Sequence, residues 1–281
     1  MHPLRRRRCC LSVPGASDKM MAKALTLDAD EIILDLEDAV PPADKAAARA
    51  RVASAVASDA WRDRTVSVRV NGLTTPWGRD DIAAVAKVAN DRLTVVIPKV
   101  ETPSDVVTAA DLAGAAVGLQ ALIETAKGVT NATLIAAASP QLQTLILGYA
   151  DLASSLGRPT SSTASWRTVQ DLVVIAARAH GLQPIDGPFF KLDAPEPLRA
   201  EATRARDQGF EGKWAIHPTQ VAVINEILTP TADEVDRARA VLDELRRTGG
   251  GASRVGSGMV DEAMRLMAER TLRRAGMTEP T

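Results

Sequence analysis

Short, nearly continuous apolar runs recur along the chain, at "CCLSVP" (9–14), "EIILDLE" (31–37), "TVSVRV" (65–70), "TVVIPKV" (94–100), "AVGLQALIET" (116–125), "TLILGYA" (144–150), "LQPIDGPF" (182–189) and "KWAIHP" (213–218). Between them lie Ala-rich segments with apolar residues at helical spacing. Examples are "ADKAAARARVASAVAS" and "ASWRTVQDLVVIAARAHG", the second closing on Gly181 as a helix C-terminus often does. A strand that is apolar throughout has to be covered on both faces, the condition of a parallel sheet with helices packed against it. Eight such repeats predict a closed (β/α)8 TIM barrel rather than an open doubly wound sheet, and no GxGxxG follows the first run to favour a dinucleotide site. After the eighth run the pattern predicts helices at about 219–228 and 231–246, a flexible stretch "RTGGGASRVGSG", and an amphipathic helix from Met259 to about Ala275. The chain thus divides into a barrel over 1–228 and a C-terminal helical arm or lid over 229–281, whose Gly-rich hinge suits an element reaching a neighbouring subunit.

Composition narrows the function. The 281 residues are 46% hydrophobic with a formal net charge of −1, which gives no electrostatic reason to expect nucleic acid or an anionic membrane as partner. No apolar stretch approaches the ~20 residues needed to span a bilayer. Cys9 and Cys10 are adjacent, a spacing that offers neither a metal site nor a disulfide framework and points to a reducing cytoplasm. The basic run Arg5–Arg8 is followed by no signal-peptide core or cleavage site and reads as a solvated flank.

In this fold the chemistry sits at the C-terminal ends of the strands, so the polar residues that end apolar runs are the candidates. They are Glu37 and Asp38 after the second run, Arg69 and Asn71 after the third, Lys99, Glu124, and Asp151 just beyond the sixth. Buried charges placed together are economical only if they compensate one another around a cation and an anionic substrate. Glu124 and Asp151 can share a hard cation such as Mg2+, which leaves several positions to water and substrate; as acids near helix starts they can equally act as caps. Arg69 can take a carboxylate in two parallel bonds or stabilise an enolate oxygen, or it can form a mouth ion pair with Glu37 or Asp38. Lys99 and Asp186 read as supports of the mouth through ion pairs or turn hydrogen bonds. Of the histidines, His2 is terminal and His180 closes a helix, both structural or solvated.

The segments "LSVPGASDKMMAKA", "ADEIILDLEDAVPPADKAAAR", "VRVNG", "IPKVE", "LIETAKGVTNA", "LILGYADLASSLG", "AARAHGLQPIDGP", "GKWAIHPTQVAVINEILTP" and "GSGMVDEA", in this order from Arg8 to Ala275, resemble the citrate lyase β-subunit-like acyl-CoA lyases, the malyl-CoA and citramalyl-CoA lyases of the HpcH/HpaI aldolase superfamily. The resemblance implies a barrel of the phosphoenolpyruvate/pyruvate type, Mg2+ dependence, a homotrimer or dimer of trimers, and reversible cleavage of a 3-hydroxyacyl-CoA to an acyl-CoA and a 2-oxo acid. It makes Glu124 and Asp151 the Mg2+ ligands, puts Arg69 on substrate, and gives Glu37 and Asp38 to the polar shell around the metal-bound water. Lys19 and Lys23, four apart on one helical face, would meet coenzyme A phosphates. Ser12 would lie near substrate where relatives often carry an aromatic residue, which implies a lost stacking contact. Ile216 and His217 of "AIHPTQ" would pass the coenzyme, with a helix-start hydrogen bond as the other role open to His217.

Cleavage next to a thioester also needs a group to move protons. The resemblance assigns this to Asp261 of "GSGMVDEA", delivered from a neighbouring subunit, although relatives often place Pro soon after the Asp where this chain has Glu262 and Ala263. The other reading of Asp261 is an ordinary acid at a helix start. Two functions stand as alternatives: an aldolase for free 2-oxo acids that uses no coenzyme A, disfavoured by Lys19 and Lys23, and a non-catalytic acyl-CoA-binding subunit, in which loss of Asp261 or of a metal acid would be expected.

Overall fold

The computed structural model describes residues 5–277 apart from Thr160, Ser161, Thr163 and Ser257; His2 lies outside the described residues. Eight parallel strands close into a barrel in sequence order: β1 (Cys9–Pro14), β2 (Glu31–Asp35), β3 (Thr65–Arg69), β4 (Leu93–Ile97), β5 (Gly118–Ile123), β6 (Leu142–Leu147), β7 (Gln183–Asp186) and β8 (Gly212–Ala215). The ring shuts where β1 pairs with β8, Cys9 opposite Lys213 and Leu11 opposite Ala215. All eight expected runs are strands, generally shorter than the apolar runs that announced them.

Along each strand the side chains alternate between two apolar environments. Cys9, Leu11, Val13, Ile32 and Leu34 face the surrounding helices and belong to the main core. Cys10, Ile33, Val96, Leu122, Ile146, Ile185 and Trp214 form a separate cluster in the barrel interior. The period of two carries the interior column downward to a polar tier and upward to the mouth. In the lower tier Gln120 donates to Glu31 and to Thr94, and Thr144 donates to Gln120.

The basic flank completes this lower tier, contrary to its reading as solvated. Arg7 is buried beneath the barrel, where its guanidinium bonds Glu31, Gln183 and Gln143. Arg8 is buried too, with Asp30 and Thr229 as partners. A carboxylate and several amides inside a closed barrel need a cation and donors from below, and the N-terminal segment is the chain nearest to supply them.

The helices begin where the sequence provides caps. Thr102 and Asp105 form a reciprocal capping box ahead of the helix Pro103–Ala113, and Thr231 with Glu234 does so for Ala232–Thr248. The C-terminal segment differs in detail from expectation. The Gly-rich stretch folds into a small antiparallel hairpin, β9 (Ser253–Val255) with β10 (Gly258–Val260), and the last helix starts only at Arg265, after a 3-10 turn over Glu262–Met264. The arm has its own small apolar cluster, centred on Val241, Leu242, Leu245, Val260 and Leu272. Its last helix docks through Arg273 on Glu211, the residue before β8, at the end of the barrel remote from the mouth.

Candidate active site

At the C-terminal ends of the strands lies a cavity of about 370 Å3, lined on its polar side by Asp35, Asp38, Arg69, Glu124 and Asp151. Ser12 and Ile216 line it from β1 and the end of β8. Several of these positions follow from the alternation: Ser12, Asp35, Glu124, Gly148 and Ile216 each come two residues above a member of the interior apolar cluster, and Arg69 comes two above the buried Ser67 of β3.

Arg69 is held from several sides. Its Nε and Nη2 donate to the two oxygens of Asp35 at 2.8 and 2.6 Å, its Nη1 lies 3.1 Å from Glu37 and 3.4 Å from Asp38, and its guanidinium stacks over the Trp214 ring at 5.7 Å from the centroid. Burial opposes its charge, but Asp35, followed by Glu37 and Asp38, holds the pKa above the ordinary arginine value. Asp35 is its main partner, a residue the sequence reading left out although it stands directly opposite Arg69 in the β2–β3 ladder. The signal was available: one acid inside an apolar strand, in phase with the inward face.

Lys99 sits at the centre of the acidic group. Its ammonium is 2.7 Å from Glu37, 3.6 Å from Asp151 and 4.0 Å from Glu124, and its backbone N–H donates to Glu124 Oε1 at 2.9 Å. It is the one non-glycine residue with positive φ, 51°, among the described residues, so backbone strain is held at this spot. Burial lowers its pKa, but Glu37, Glu124 and Asp151 outweigh that and raise it. Burial and then the charge of Glu37 push Glu124 up to about 8, and burial likewise raises Glu37. Glu37 Oε2 is buried and has no hydrogen bond of good geometry, its nearest cation being Arg69 Nη1 at 3.1 Å.

These acids are therefore short of positive charge even with Lys99 among them, and that is the condition of a cation site. The described residues hold no group of three or more His, Cys, Asp or Glu arranged for a metal. An ion at this mouth would take few protein ligands and complete its shell with water and substrate oxygens, the habit of Mg2+ rather than of zinc. Neither acid acts as a side-chain helix cap here: Thr125 caps Ala126–Thr130, and Asp151 lies in the first turn of Tyr149–Ser155, where the helix dipole favours its charge. Gly148 is required for close approach, since a Cβ there would run into the Glu124 carboxylate.

The other candidates are scattered. Lys19 and Lys23 are exposed on the helix Asp18–Ala24 that follows β1. His217 accepts from the Thr219 N–H at the start of Pro218–Leu228, the helix-start role. Asp186 bonds Lys213 at 2.6 Å and accepts from the Tyr149 hydroxyl. Asp261 caps its own 3-10 turn by accepting from Ala263 N–H at 3.0 Å, and it is not among the residues lining this chain's mouth.

A closed parallel barrel with an acidic, cation-seeking mouth beside a pinned arginine defines a barrel lyase or aldolase that works on anionic substrates. The model of the HpcH/HpaI aldolase/citrate lyase family matches residues 8–218, and the chain belongs to that family of carbon–carbon lyases. It is 38% identical to an L-malyl-CoA/beta-methylmalyl-CoA lyase of Cereibacter sphaeroides, over 98% of this chain and 96% of the relative. A (3S)-malyl-CoA thioesterase of Cereibacter sphaeroides is 39% identical, over 98% and 95%. Among solved structures, CitE from Mycobacterium tuberculosis in complex with magnesium, acetoacetate and coenzyme A superposes with a TM-score of 0.76 at 32% identity, covering 98% of this chain and all of that one.

Proposed function

We propose that the protein is a Mg2+-dependent acyl-CoA lyase that cleaves a 3-hydroxyacyl-CoA of the malyl-CoA kind, reversibly, to an acyl-CoA and a 2-oxo acid. The observation that carries the reading is the convergence of Glu37, Glu124 and Asp151 on one cationic position next to Arg69. The lyase relatives and the magnesium- and coenzyme A-containing structural neighbour support it.

Glu124 and Asp151 hold the Mg2+, with Glu37 and Asp38 ordering water and Arg69 around it. The metal, when bound, supplies Lewis-acid polarisation of the 2-oxo acid oxygens. Arg69 fixes the small acid end of the substrate and offers a donor to the oxygen that gains charge as the C2–C3 bond breaks. In cleavage the 3-hydroxyl loses its proton, the bond electrons pass to the thioester enolate, and C2 is protonated. Asp261 of a neighbouring subunit moves that proton, which makes the working unit an oligomer. A cavity of about 370 Å3 suits the acid end alone. The coenzyme lies over the rim, where Lys19 and Lys23 meet its phosphates and Ser12, Ile216 and His217 border its path.

A second reading has one observation in its favour. The same share of the chain aligns over 306 residues with the lyase but over 278 with the thioesterase, so the lyase carries insertions that this chain lacks. One assay separates the two. Incubation of (3S)-malyl-CoA with the protein and Mg2+ releases acetyl-CoA and glyoxylate if the chain is a lyase, and malate with free coenzyme A if it hydrolyses the thioester. The second product pair alone would overturn the lyase conclusion.

A further inference from the structure

Below the acids and Arg69, the cavity reaches the interior apolar cluster at two residues, Leu122 and the much larger Trp214. The neighbours of Trp214 in that cluster are Cys10, Ile33, Val96, Leu122, Ile146 and Ile185, all smaller and none aromatic. Its ring reaches from β8 across the barrel to lie under the guanidinium of Arg69 on β3. Only 4% of Trp214 is exposed, yet it lines the mouth cavity, so the surface it retains faces whatever enters. On the adjoining strand, β1, the inward residue at the rim is the small Ser12, so on this side of the cavity the indole is the bulky apolar surface.

We propose that Trp214 is the specificity-determining floor of this cavity, the residue that limits the protein to short-chain 2-oxo acids. The inference rests on the lyase reading. An acid whose carboxylate is drawn to Arg69 and whose oxo group lies by Glu124 and Asp151 has its remaining carbons above the ring, and each added methylene there meets a rigid aromatic surface. A hydrophobic wall discriminates by roughly 10- to 200-fold per methylene. The same ring steadies Arg69, and that contribution affects all acids alike. The ratio between acids therefore isolates the floor.

The test runs the reaction in the condensing direction, with acetyl-CoA, Mg2+ and a series of glyoxylate, pyruvate, 2-oxobutyrate and 2-oxovalerate. The wild type should lose kcat/KM steeply along the series. Trp214→Leu should flatten that fall by about tenfold or more between glyoxylate and 2-oxobutyrate, even if its rate with every acid drops because Arg69 is looser. Trp214→Phe, which keeps a ring under Arg69 but a shorter one, should shift the ratio less and in the same direction. An unchanged ratio in Trp214→Leu, or in Trp214→Phe should the leucine variant not fold, overturns the floor while wild-type turnover leaves the lyase reading standing. No condensation by the wild type with any acid overturns the lyase reading and the floor together.

Discussion

Replacing Arg7 by Ala removes a guanidinium that is wholly enclosed under the barrel and donates to Glu31, to Gln183 at 2.6 Å and to Gln143 at 2.7 Å. What remains is the Glu31 carboxylate, fully buried and left with Gln120 as its donor, together with two amide oxygens that have lost theirs. Breaking a buried ion pair from one side costs about 3–5 kcal/mol, because the surviving charge stays in low dielectric. At roughly 2–4 °C per kcal/mol for a chain of this size, the midpoint should fall by about 10 °C. Thermal and urea unfolding of Arg7→Ala, Glu31→Gln and the double variant would read this directly. The double variant should recover part of the loss, with a coupling of about 2 kcal/mol, since the carboxylate is then gone as well. The mouth is separated from this tier by the apolar cluster, so Mg2+ binding by folded Arg7→Ala at 25 °C should match the wild type. A loss below about 1 kcal/mol, the scale of an exposed ion pair, would refute the reasoning and return the N-terminal flank to solvent.

Three further outcomes test the mouth and the arm. Gly148→Ala drives a methyl group into the Glu124 carboxylate; calorimetric Mg2+ affinity should fall roughly 10- to 100-fold, and an unchanged affinity would remove Glu124 from the metal site. Lys19→Ala with Lys23→Ala should raise KM for the thioester about tenfold, as expected of two lost charge-assisted contacts, and leave Mg2+ affinity alone; equal KM values would place the coenzyme elsewhere. Asp261→Asn and Arg69→Ala should each be nearly inactive, and dissociating and reassembling the two together should restore activity. Mixed oligomers confirmed by mass but still inactive would mean that Asp261 does not serve a neighbour's mouth.

The architecture was readable in the chain because a closed barrel makes demands that are local in sequence. Each strand has to be apolar on both faces and each helix on one, so eight alternations of the two patterns are enough to announce it. The polar residues at strand ends were readable for the same reason: Arg69, Glu124 and Asp38 break apolar runs at the C-terminal end, where this fold places its chemistry, and all three line the mouth. Which residue partners which was readable only in part: the ion pairs of Arg69 with Glu37 and Asp38 were among the roles open to it, but its main partner was not, because partnership crosses strands. Asp35 looked like one acid within an apolar strand until register set it opposite Arg69. Lys99 was legible as a support of the mouth through ion pairs, but that three carboxylates following different strands would share its ammonium was not. Arg7 and Glu31 lie 24 positions apart, and nothing in that spacing indicates that closure of the barrel buries both. A charge is assigned to core or solvent by what surrounds it in space, and only closing the ring through β1 and β8 set those surroundings.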